Sequence, residues 1–110
     1  MHSVVTLPNF IRSAQDLKIS QSEIDEIIDY FSLNPQSGDL IKGAHGIRKV
    51  RIPRKDSGKS GGYRVLTLYG GVDIPVFLID IYAKNKKENI SQEEKRSFAK
   101  LAIMIKNNYK

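Results

Sequence analysis

Lys49 and Arg51 stand two residues apart in Ile47–Pro53, a segment whose alternation reads as a β-strand. A period of two puts both cations on one face and Val50 and Ile52 on the other. Arg64 sits early in a second strand-like run, Tyr63–Tyr69, where it could lie across from them. Tyr82 and Lys84 are again two apart, where the most apolar segment, Asp73–Ala83, runs out. Cations gathered with one phenol on a sheet face would suit a phosphodiester. A planar guanidinium matches two phosphate oxygens, ammonium groups add charge, and the phenol stacks on a base or passes a proton. Each residue also has an ordinary role available. Lys49 on an exposed face would be solvated, Arg64 would pair with a helix acid, and Tyr82 would be a core or rim aromatic.

The charge distribution supports an anionic partner. Lys42–Arg64 holds eight of the eighteen Lys and Arg residues and one acid, Asp56, whereas Met1–Ile41 has two cations and six acids. The net charge of +6 is therefore concentrated on one segment. Such concentration points to a polyanion, of which nucleic acid is the commonest, or else to a solvated basic face with no partner. A length of 110 residues fits one domain. Hydrophobic content of 40% with 27% charge is that of an ordinary water-soluble chain. With no cysteine there is neither a disulfide framework nor a thiolate zinc site. No apolar run approaches the ~20 residues needed to cross a bilayer. The first residues lack the apolar core of a secretion signal, so a cytoplasmic location is expected.

The elements that must position these residues can be traced along the chain. Ser3–Leu7 is a plausible first strand, and Pro8 suits the first turn of a helix carrying Phe10, Ile11, Ala14 and Leu17 on its apolar side. Ser20 or Ser22 caps a second helix, with Ile24, Ile27, Ile28 and Phe31 as its stripe, stopped by Asn34-Pro35 and Ser37-Gly38. A short strand over Asp39–Lys42 precedes Ile47–Pro53. Arg54–Gly62 is a polar loop, and Gly70-Gly71 turns the chain into Asp73–Ala83, which is placed centrally in the sheet. Ser91 and Glu94 form a capping box for a last helix with Phe98, Leu101, Ala102 and Ile105 buried. The order β-α-α-β-β-β-α predicts an α+β fold: an antiparallel or mixed sheet of 4–5 strands, two helices before it and one after it.

Competing chemistries find little support. His2 and His45 are 43 positions apart, and neither HExxH nor paired-carboxylate spacing occurs, so no metal is expected. His45, in Gly43-Ala44-His45-Gly46, reads as a turn residue with a lesser option of substrate contact. Gly58-Lys59-Ser60 lacks the earlier glycine of a phosphate-binding loop and no helix follows it.

Four blocks carry a family resemblance: Gly46–Arg51 (GIRKVR), Gly58–Val65 (GKSGGYRV), Phe77–Asn85 (FLIDIYAKN) and Ser91–Lys95 (SQEEK). In this order they resemble the RelE-type toxins of bacterial toxin–antitoxin systems, closest to the HigB branch. The resemblance implies a small RelE-like fold in a single domain, 1–110. It implies a metal- and cofactor-independent endoribonuclease that enters the decoding site of the ribosome and cleaves the mRNA there. It also implies a cognate antitoxin, of the helix-turn-helix, HigA-like kind. By position, Arg64 matches the family's sheet arginine, Lys49 and Arg51 the cations of the preceding strand, and Lys84 the cation after the long apolar strand. Some relatives place a tyrosine at the C-terminus, where Tyr109 stands; Tyr82 is favoured because its strand neighbours are the other candidates. Arg48, Arg54, Lys55, Lys59, Lys86 and Lys87 are the expected RNA- or ribosome-binding cations.

Metal-free RNA cleavage uses the adjacent 2′-hydroxyl as nucleophile. Arg64 would clamp the phosphate. Lys84 or Lys49 would be a base only if neighbouring cations lowered its pKa, and Tyr82 would stack or shuttle a proton. Poverty in histidine predicts poor cleavage of free RNA, with the ribosome supplying orientation. The alternatives are a non-catalytic nucleic-acid-binding module, a gyrase-poisoning toxin of the same superfamily, and an interaction protein whose basic face docks an acidic partner.

Overall fold

The computed structural model describes residues 1–53, 62–84 and 90–109. The element order is β1 (Val4–Thr6), α1 (Pro8–Asp16), α2 (Gln21–Leu33), β2 (Asp39–Leu40), β3 (Ile47–Ile52), β4 (Tyr63–Leu68), β5 (Val76–Ala83) and α3 (Gln92–Asn108). One five-stranded sheet runs β1-β5-β4-β3-β2. β2 to β5 are antiparallel to their neighbours, while β1 lies parallel to β5, so the sheet is mixed and the fold is α+β as predicted. β5 is internal, flanked by β1 and β4, which fits its near-continuous burial.

Each helix end has a local cause. Pro8 opens α1, where its missing N–H costs nothing. Lys18 then takes a left-handed conformation (φ 58°) and turns the chain into α2. Ser20 caps α2, its hydroxyl accepting from the Glu23 N–H at 3.1 Å. At α3 the capping box is complete. The Glu94 N–H donates to Ser91 Oγ at 3.1 Å, and the Ser91 N–H donates to Glu94 Oε1 at 3.0 Å. Ser91→Ala removes the hydroxyl that accepts from the Glu94 N–H and keeps the backbone N–H that donates to Glu94 Oε1. The expected loss is about 1 kcal/mol, and an unchanged urea midpoint would contradict it.

Two apolar clusters sandwich the sheet. On one face, Phe10, Ala14, Ile19, Ile27 and Phe31 of the α1–α2 layer pack on Val50, Tyr63, Val65, Val76, Leu78 and Ile81. On the other, Ala102 and Ile105 of α3 pack on Ile47, Leu66, Leu68, Phe77, Ile79 and Tyr82. Ile11 departs from expectation. It is 45% exposed, because Phe10, Ala14 and Leu17 form the i, i+4, i+7 stripe that packs on the sheet, and Ile11 lies about 100° round the helix from Phe10, at the flank of that stripe. Among the helices of the described residues, none is long and apolar enough to cross a membrane.

Candidate active site

β3 and β4 fix the first half of the site. Their register sets Lys49 opposite Leu66, Val50 opposite Val65 and Arg51 opposite Arg64. Val50 and Val65 belong to the α1–α2 side. Alternation therefore turns Lys49, Arg51 and Arg64 toward the α3 side. Tyr82 of β5 pairs directly with Arg64, and it belongs to the α3-side cluster. Opposed residues on one face have Cβ atoms about 5 Å apart, so Arg51, Arg64 and Tyr82 form a cross-strand row. Lys84 follows β5 two residues beyond Tyr82 and is half-buried, its N–H donating to the Gly62 carbonyl at 3.0 Å. The row thus lies in the half of the sheet where β3 and β5 end and β4 begins.

Solvent access differs along the row. Arg51 is exposed at the sheet edge, and Lys49, Arg64 and Lys84 are half-buried. Arg51 also borders a cleft against α2 lined by Glu23, Glu26, Ile27, Tyr30, Ile52 and Tyr63. Tyr82 is buried at 8% exposure. Arg64 Nε is buried and has no hydrogen-bond partner among the described residues. Such an unmet donor costs about 1–3 kcal/mol, and native structures retain few of them without a use.

Burial pushes the Tyr82 phenol above its ordinary value of 10.0. The Arg64 guanidinium draws it down, while the carboxylates of Asp80 and Glu94 push it further up. At neutral pH the phenol is therefore protonated and able to donate. Asp80 and Glu94 escaped sequence reasoning as neighbours of the site. Asp80 had a signal, being the one acid inside the apolar run Val76–Ala83. Glu94 was recognised only as a cap residue; its place at the start of α3 is what brings its charge near Tyr82.

Other expected residues fall elsewhere. Arg48 is on the α1–α2 side by alternation, and its Nη1 donates to the Gly38 carbonyl at 3.0 Å, away from the row. Arg54, Lys55, Lys59, Lys86 and Lys87 lie outside the described residues. Tyr109 caps α3 and packs edge-on against Phe77, with ring centroids 5.7 Å apart. Phe77 pairs with Leu68, at the far end of β4 from Arg64, roughly 13 Å along the strand. His45 is an exposed turn residue with φ 55°, and its carbonyl accepts from Lys106 Nζ at 2.6 Å. It too is at the far end. Among the described residues no group of three or more His, Asp or Glu is placed to hold a metal ion.

Comparison with known proteins agrees with this architecture. Residues 4–110 match the family model described as the RelE toxin of the RelE/RelB toxin–antitoxin system. Among solved structures, an arginine-to-alanine double mutant of the E. coli toxin RelE in the free state matches with a TM-score of 0.53. That match has 14% identity and covers 89% of this chain and 93% of the other. It shows a shared fold: three helices on a five-stranded mixed sheet. With the family model spanning nearly the whole chain, the protein belongs to the RelE toxin family.

Proposed function

We propose that this toxin is a metal-independent endoribonuclease that cuts mRNA in the decoding site of the ribosome and is held inactive by a cognate antitoxin. The observation that carries the proposal is Arg64. Its buried Nε is unused among the described residues, and it sits directly across from a protonated tyrosine. A guanidinium so placed gives a scissile phosphate a fixed, charge-assisted clamp.

The chemistry follows from the row. Arg64 binds the non-bridging phosphate oxygens, with Lys49 and Arg51 adding positive charge as the phosphorane forms. The 2′-hydroxyl oxygen attacks the phosphorus and loses its proton to a general base, for which the amine of Lys49 or Lys84 is the candidate. The bond to the 5′-oxygen breaks, and Tyr82 donates its phenolic proton to that leaving oxygen. The products are a 2′,3′-cyclic phosphate and a 5′-hydroxyl. Arg54, Lys55, Lys59, Lys86 and Lys87, which lie outside the described residues, are by their charge the cations we assign to RNA and ribosome binding.

The direct test is expression in a bacterial host, with primer extension on translated and untranslatable copies of one reporter. New 5′ ends on the translated copy alone are expected. Cleavage of both copies would remove the ribosome from the proposal, and growth arrest without cleavage would favour a gyrase-poisoning toxin. Binding should also respond to salt. With several phosphate contacts, affinity for ribosomes is expected to fall about a hundredfold or more between ~50 and ~200 mM salt. A flat response in a sedimentation assay would deny the basic segment this role.

A further inference from the structure

Tyr82 faces Arg64 only because β5 contains an extra residue. On the Thr67 side, Thr67 pairs with Leu78 and Leu68 with Phe77. One step along, Leu66 pairs with Asp80, leaving Ile79 unmatched. This is a β-bulge. Upstream of it, odd-numbered Phe77 and Ile79 lie on the α3 side and Leu78 on the other. Downstream, the parity is reversed: Ile81 is on the α1–α2 side and even-numbered Tyr82 is on the α3 side. A regular strand alternates with period two throughout and would send Tyr82 and Lys84 to the opposite face from Ile79.

One polar side chain, that of Asp80, is hydrogen-bonded at the bulge. Asp80 Oδ1 accepts from the Ile81 N–H at 2.9 Å and from Ser13 Oγ of α1 at 2.6 Å. Asp80 is 8% exposed within an otherwise apolar strand. A buried carboxylate is costly unless hydrogen-bonded, so packing alone would favour an apolar residue here. The two bonds tie the bulge to α1 and to its own backbone.

We propose that the Ser13–Asp80 pair is a positioning device that locks the β5 bulge and so turns Tyr82 and Lys84 onto the face that carries Arg64. Its catalytic consequence rests on the function proposed above, but the positioning can be read without activity.

The test compares Asp80→Ala, Asp80→Asn and Ser13→Ala by two readouts. The first is the set of NOEs between the Tyr82 ring and methyl groups of the α3-side cluster, in protein labelled at tyrosine. The second is kcat and KM for cleavage of ribosome-bound mRNA. Asp80→Ala should lose the NOEs and lower kcat about tenfold to a hundredfold, with KM little changed. Asp80→Asn keeps an Oδ1 acceptor for both donors and should restore both readouts. Ser13→Ala keeps the Ile81 bond and should fall between. Wild-type NOEs and kcat in Asp80→Ala and Ser13→Ala would overturn the proposal, as would failure of Asp80→Asn to restore them. If Asp80→Ala does not fold, Ser13→Ala decides: wild-type values there overturn the proposal. If the wild type shows the NOEs and their Asp80 dependence but cleaves nothing, the proposed function fails and the positioning stands.

Discussion

Replacing Arg64 with alanine should abolish growth arrest and lower mRNA cleavage about a hundredfold to a thousandfold, the loss expected when one preorganised charge stabiliser is removed. The protein should stay folded. Arg64 Nε makes no hydrogen bond among the described residues, so loss of that atom breaks none there. Arg51 stands opposite Arg64 in the register, and opposed like charges are themselves destabilising. Arg64→Ala is therefore expected to leave the thermal midpoint unchanged or slightly raised, as happens where a functional group is kept at some cost to stability. Arg64→Lys should recover only a small part of the activity, because an ammonium has no fork to match two phosphate oxygens. Primer extension on the translated reporter measures cleavage, and a melting curve measures stability. Full cleavage by Arg64→Ala would remove this residue from the site. Loss of activity together with a collapsed midpoint would show that Arg64 serves the fold instead.

The parts of this arrangement that were legible in the sequence are those governed by local periodicity. The Ile24–Ile27–Ile28–Phe31 stripe gave α2, the Ser91–Glu94 box gave the start of α3, and alternation paired Lys49 with Arg51 and Tyr82 with Lys84. Two long-range features were not legible. β1 is three residues long, and its parallel pairing with β5 depends on α1 and α2 carrying the chain away between them. The bulge at Ile79 was hidden because its surroundings, Val76–Ile79, are apolar on both faces, so a change of parity leaves no hydrophobic mark. Alternation therefore showed that two pairs of residues each share a face. It took the register to show that the two faces are the same one.

That register makes Tyr82 the residue with the most specific second prediction. Tyr82→Phe keeps the ring in the α3-side cluster and removes only the hydroxyl. If the phenol protonates the leaving 5′-oxygen, kcat should fall about a hundredfold or more while KM changes little. Unchanged kcat would reduce the ring to a packing or stacking group. The same substitution has a signature in stability. Burial, Asp80 and Glu94 together raise the Tyr82 pKa above 10.0 in the folded state, outweighing Arg64. The folded protein thus holds this proton to higher pH than the unfolded chain does. The stability that this supplies is fully present below the unfolded-state value near 10.0 and is lost as pH rises through the folded-state value. The wild type should therefore lose thermal stability on passing above pH 10.0 more steeply than Tyr82→Phe, which has no proton to release there. Melting curves on both sides of that pH check the sign. Parallel declines would mean that the hydroxyl is better solvated than its burial implies, and a solvated phenol would be a weaker candidate for a directed proton donor.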